Sequence, residues 1–162
     1  MISLLDAASS SPVYQLNISL ADFKPVIWRR VLVRGNLRLS RLNKVLQVVM
    51  GWQGTHLHQF EIGDQHYGQK DLDDEDPELK DERRYRLSDL GLQDGSVFIY
   101  RYDFGDNWEH AVLLEKKLSD AGEFKPPVCL EGRNACPTED CGGVHGYQDM
   151  LKTLHHPKAS GA

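Results

Sequence analysis

The chain lacks most of the features that would assign it an activity on sight. It has no apolar run near the roughly 20 residues that cross a bilayer. Its opening, Met1 to Pro12, holds no basic residue and only a short apolar stretch, so no secretory leader is expected. There is no Walker-type phosphate loop, dinucleotide fingerprint, nucleophile elbow or H-E-x-x-H zinc motif. The DFGD at 103–106 stands without the Gly-rich loop or H-R-D segment of a kinase. Helix-turn-helix and RNA-recognition signatures are also missing. No reaction class is therefore written in the sequence, and no enzyme activity is assigned.

Cysteine is scarce and oddly placed. All three cysteines, Cys129, Cys136 and Cys141, fall within CLEGRNACPTEDCGG. An odd number of thiols and no leader argue against a disulfide framework and for a reducing, cytoplasmic setting. Acid is missing altogether between Phe23 and Phe60, where Lys24, Arg29, Arg30, Arg34, Arg38, Arg41 and Lys44 supply seven positive charges. The reverse holds at 71–82, where eight acids stand against Lys80. The formal net charge of -5 thus averages one basic and one acidic run. Solvated surface is the ordinary use of such runs. The specific alternative is a nucleic-acid interface, with Arg29, Arg30, Arg34, Arg38, Arg41 and Lys44 on the phosphate backbone. The acidic run has little apolar surface to offset its ordering entropy, so a mobile loop is expected there.

What the chain does have is clear periodicity. Its 162 residues, 40% hydrophobic, suit one domain over 12–157 between a disordered tail at 1–11 and a short tail at 158–162. VYQLNISL alternates, with Tyr14, Leu16, Ile18 and Leu20 on one face, and VIWRRVLV reads as its antiparallel partner. Leu42, Val45, Leu46, Val49 and Met50 then follow helical spacing, with Ser40 as expected N-cap and Gly51 as C-terminal stop. HLHQFEI returns to period two, placing His56, His58, Phe60 and Ile62 on one side. SVFIYRYDF and WEHAVLLE form a hairpin about Gly105 to Asn107, and Trp108, His110, Val112 and Leu114 share a face. A Cys-rich loop and a closing helix with Tyr147, Met150, Leu151 and Leu154 complete the order. The expected fold is α+β: a two-layer mixed β-sheet with one principal helix packed across it, in a β-grasp-like arrangement.

Zinc takes four N or S donors in a tetrahedron. The C-x6-C-x4-C spacing is looser than a zinc knuckle, so its fourth donor has to come from elsewhere in the fold. His110 leads on a strand toward the cysteines, which predicts a Cys3His or Cys2His zinc site of Cys129, Cys136, Cys141 and His110. His56 and His58 are the other imidazoles on aromatic strand faces, where a satisfied core histidine is the commoner role. Asp103, Asp106, Glu139 and Asp140 form a second candidate set beside Trp108. Carboxylates near histidines can hold a catalytic divalent metal; otherwise such acids close turns and cap loops.

Three segments carry a further signal: GWQGTHLHQFEI (51–62), LSDLGLQDGSVFIYRYDFGDNWEH (87–110) and CLEGRNACPTEDCGGVHGY (129–147). In this order and spacing the chain resembles the Ri-plasmid ORF-three-like family, also met as insertion-element passenger proteins labelled TnpR. The likeness spans residues 12–157. It implies an α+β fold and a plasmid or transposon setting, but no reaction, because no serine-recombinase signature accompanies the label. Pro137-Thr138 stands where the family usually has Pro-Pro, and members of the family continue well past the closing helix, whereas this chain stops at HHPKASGA. The resulting expectation is a cytoplasmic module with one Cys/His/Asp site. Nucleic-acid binding through 24–44 and metal-dependent hydrolysis are the alternatives.

Overall fold

The computed structural model describes residues 11–71, 73–74 and 76–155, without the side chains of 154 and 155. The tails expected at 1–11 and 158–162 therefore lie almost wholly outside the described residues, as does the side chain of Leu154. Eight strands form one sheet: β1 Val13–Leu20, β2 Trp28–Arg34, β3 His58–Ile62, β4 Gln65–Gly68, β5 Leu79–Asp81, β6 Val97–Tyr102, β7 Trp108–Leu118 and β8 Val128–Arg133. Among the described residues, two helices, α1 Leu39–Met50 and α2 Gly143–His155, and two single 3-10 turns at 82–84 and 87–89 join them. No helix among the described residues is long and apolar enough to cross a membrane.

The sheet order is β5-β4-β3-β6-β7-β1-β2-β8, antiparallel throughout except for the parallel pair β4 and β5. This mixed sheet bears out the α+β class. The β-grasp-like detail is not established, since the opening hairpin meets the later one through an antiparallel pair, β1 with β7. Alternation decides the core face. Tyr14, Leu16, Ile18 and Leu20 from β1, Phe98, Tyr100 and Tyr102 from β6, and Trp108, Val112 and Leu114 from β7 are all buried. Leu39, Leu42, Leu46 and Met50 of α1 close over them.

Three expectations need correction. Ser40 is not the N-cap of α1: Arg38 holds that position without a side-chain cap, and the Tyr85 carbonyl accepts from Leu39 N–H at 2.9 Å instead. Gly51 does end the helix, in the left-handed conformation at φ 74°. The acidic run is not loop throughout. Leu79–Asp81 pairs with β4, and Glu82 is 3% exposed, because a histidine waits to receive it. Cys129 lies on the edge strand β8 rather than in a loop.

Candidate functional site

His110 decides the fate of the expected zinc site. Its Nδ1–H donates to the Tyr100 carbonyl at 2.9 Å, and its Nε2 accepts from Trp52 Nε1–H at 3.2 Å. The ring is fully buried, and burial pushes its pKa down to about 4. A neutral imidazole with both nitrogens engaged has no lone pair to offer a metal. It is a satisfied core histidine.

The thiols are dispersed over carbonyls of their own. Cys129 donates to Glu131 O, Cys136 to Val49 O and Cys141 to Gly143 O. Arg29 Nη2 also touches Cys136 Sγ at 2.9 Å. Burial raises the pKa of Cys136 and Cys141, so both thiols keep their protons more firmly than usual. Among the described residues, the donors close enough to share one ion include no cysteine. The structure does not assemble the expected Cys/His set.

It brings together part of the second set, around His56. His56, which enters β3, the β6–β7 turn and the loop before α2 converge at one end of the sheet. His56 Nε2 lies 2.8 Å from Asp140 Oδ1, 3.5 Å from Asp103 Oδ2 and 3.7 Å from Glu139 Oε2. Each carboxylate has its own support. Asp103 Oδ1 accepts from the N–H groups of Gly105 and Asp106 at 3.1 and 3.2 Å, leaving Oδ2 to face His56. Glu139 Oε1 accepts from Tyr102 O–H at 2.9 Å and from Gln53 N–H at 3.0 Å. Burial is the main cause that raises the Tyr102 pKa, so that hydroxyl stays a donor. Trp52 stacks on Tyr102 with centroids 5.2 Å apart and tilts against buried Trp108 at the same distance. Trp108 is thus the floor of the site, not a participant in it.

The backbone is held to this shape. Asp103 and Asp140 adopt left-handed φ values of 59° and 56°, a conformation costly for most side chains and retained where surroundings demand it. Asp106 does not join the cluster. Its Oδ2 accepts from Gly142 N–H at 3.2 Å and so ties the hairpin turn to the start of α2. Gly143 permits that approach, since a Cβ there would sit 2.6 Å from Asp106 O, and Gly146 leaves room for the Cys141 carbonyl, into which a Cβ would run.

His56 Nε2, Asp103 Oδ2 and Asp140 Oδ1 all lie within 4.8 Å of one another. Ligands about 2.0–2.2 Å from a shared divalent ion stand roughly 3–4.4 Å apart, and the 2.8 and 3.5 Å separations from His56 fall at or near the short end of that range. An imidazole with carboxylates suits zinc, manganese or iron. Asp103 is buried and Asp140 exposed, so such an ion would be reachable from solvent.

The remaining candidates fall elsewhere. His58 turns its Nε2–H to both oxygens of Glu82, at 2.8 and 3.0 Å, in a buried pair. Arg29 donates to the carbonyls of Trp28, Arg133 and Asn134, and Arg30 pairs with Glu115 and Glu131. Arg34 is on β2, Arg38 donates to Arg83 O, Arg41 and Lys44 line cavities against α1, and Arg29 lines a shallow one at the β8 edge. The run is divided between strand pairing and helix surface and does not make one phosphate-facing stripe. Sequence reasoning missed Tyr102, Trp52 and Thr55 around the cluster, and Glu82 beside His58. Tyr102 lies across from His58 in the β3–β6 pair, and the alternation of HLHQF puts His56 on the face of His58, the signal by which Tyr102 is within reach.

Residues 12–161 match the family described as Plasmid pRiA4b ORF-3-like protein. The chain belongs to that family. A Sinorhizobium fredii relative (strain NBRC 101917 / NGR234), Uncharacterized protein y4hQ, is 38% identical over 145 residues, 90% of this chain and 74% of the relative. The crystal structure of a protein of unknown function, MM3350 from Methanosarcina mazei Go1, superposes with a TM-score of 0.80 at 36% identity. That match covers 89% of this chain and 82% of the other. The family's α+β architecture therefore recurs in a solved relative, and neither relative carries a stated activity.

Proposed function

We propose that this ORF-3-like protein binds one divalent cation through His56, Asp103 and Asp140, with Glu139 poised beside them. The carrying observation is the convergence of donor atoms from three separate segments to within 4.8 Å. Three carboxylates around one imidazole carry excess negative charge, and a divalent ion relieves it more completely than a single proton does. Three protein donors are fewer than a closed shell, which leaves positions for water. A metal-activated water at a solvent-reachable ion makes hydrolysis the reaction class to examine next, as a second reading.

The setting follows the family. The plasmid in its name, with the likeness to insertion-element passenger proteins, supports an accessory role in mobile elements. Three free thiols suit a cytoplasmic one. Recombination is not part of the proposal. The test is titration of chelator-stripped, untagged protein with zinc, manganese and magnesium, read by the fluorescence of Trp52 and Trp108. Saturable one-site binding that Asp103→Asn and His56→Ala each weaken at least about tenfold is expected. Binding unchanged in those variants, or no binding by any of the three ions, refutes the reading.

A further inference from the structure

A cavity between α1 and the segments that flank β5 shares no residue with the cation site. Its volume is about 430 Å³, within the range of small-molecule sites. Ser40, Arg41, Asn43 and Lys44 of α1 form one wall, and Gln69, Lys70 and Asp71 with Glu82 and Arg83 form the other.

Its charges are unevenly answered. Arg83 is paired with Asp81 at 2.8 Å and feels Asp71 as well. Lys70 Nζ donates to the carbonyls of Asp76 and Leu79, which hold the ammonium without neutralising it. Among the described residues, Arg41 and Lys44 have no ion-pair partner, and the first turn of α1 contains no acid. Arg41, Lys44 and Lys70 thus face the cavity without an ion pair of their own among the described residues, and with Arg83 they outnumber the two acids that line it, Asp71 and Glu82. At its floor sits the Glu82 carboxylate, 3% exposed and held through both oxygens by His58 Nε2. Each of those oxygens keeps a lone pair for one more donor.

We propose that this cavity binds a phosphate monoester whose body carries hydroxyl groups. A phosphoryl group with nearly two charges matches Arg41, Lys44 and Lys70 better than a single carboxylate does. The rigid Glu82, fixed from behind by His58, accepts a hydroxyl of the body, and Gln69 offers an exposed amide beside it. Neither histidine–carboxylate pair depends on the other, so the cavity stands whether or not His56 holds a metal.

Isothermal titration of the full chain in EDTA, with inorganic phosphate, ribose 5-phosphate and adenosine 5′-monophosphate, tests this. Expected is saturable one-site binding of a monoester, at least about tenfold tighter than phosphate itself. Equal affinity for the two monoesters assigns a sugar phosphate; tighter binding of the adenosine compound assigns a nucleotide. The double variant Arg41→Ala/Lys44→Ala should bind at least about tenfold more weakly, and Lys152→Ala on α2 should not change. Glu82→Gln should erase the monoester's advantage and retain phosphate binding. If that variant does not fold, Gln69→Ala must show the same loss in part. No saturable heat up to about 10 mM of any probe, equal affinity for phosphate and both monoesters, or full affinity in the double variant overturns the proposal.

Discussion

His110 shows how a single residue's surroundings choose among its chemistries. Its folded pKa of about 4 lies below the ordinary 6.5, so the unfolded chain takes up a proton that the folded chain refuses. Its contribution to stability is complete above pH 6.5 and is lost as pH falls toward 4. The expected slope is about 1.4 kcal/mol per pH unit across that window. Urea melts of wild type and His110→Phe at pH 7 and pH 5 check this: the wild type should lose more stability on acidification than the variant. Equal losses would mean the imidazole is not held neutral. Gly146 illustrates the opposite constraint, on space. Replacing it with Ala drives a Cβ into Cys141 O, and a cost of about 1–3 kcal/mol in thermal or urea unfolding is expected.

At the scale of elements, the His58–Glu82 contact ties β3 to the turn that follows β5. Both side chains are almost wholly buried, so removing one partner leaves the other's polar group unanswered. Glu82→Ala should cost about 3–5 kcal/mol in urea unfolding, and a double variant with His58→Phe should recover part of that loss. A strictly additive pair would show that the contact carries no coupling. This buried acid is also why the end of an otherwise solvated acidic run becomes a strand.

For the whole molecule, the proposed ion would join three parts of the chain that are distant in sequence: the approach to β3, the β6–β7 turn and the loop before α2. Anything bound only by the folded state raises its stability, by about 2.7 kcal/mol at one hundred times the dissociation constant. For a domain of this size that corresponds to a rise of roughly 5–10 °C in melting temperature. Scanning calorimetry of chelated and cation-saturated protein measures it, and Asp103→Asn should cut the rise by about half or more at the same cation concentration. Arg29 and Arg30 of the basic run act on a smaller scale, fastening the β8 edge.

The elements whose signal is local are readable from the residues alone. Alternation in β1, β6 and β7, helical spacing in α1 and the glycine at its end depend on neighbours a few residues away, and each was legible. So was the pool of site residues, since His56, Asp103, Glu139 and Asp140 were all in view. Short strands β4, β5 and β8 were not legible, because their pairing rests on partners elsewhere in the sheet rather than on their own pattern. Only the tertiary structure decided which histidine meets which acid. Strand alternation gives a side chain its face but not its depth. His110 and His56 both sit beside aromatic strand residues in the sequence; folding seals one beneath Trp52 and leaves the other about a third exposed among carboxylates.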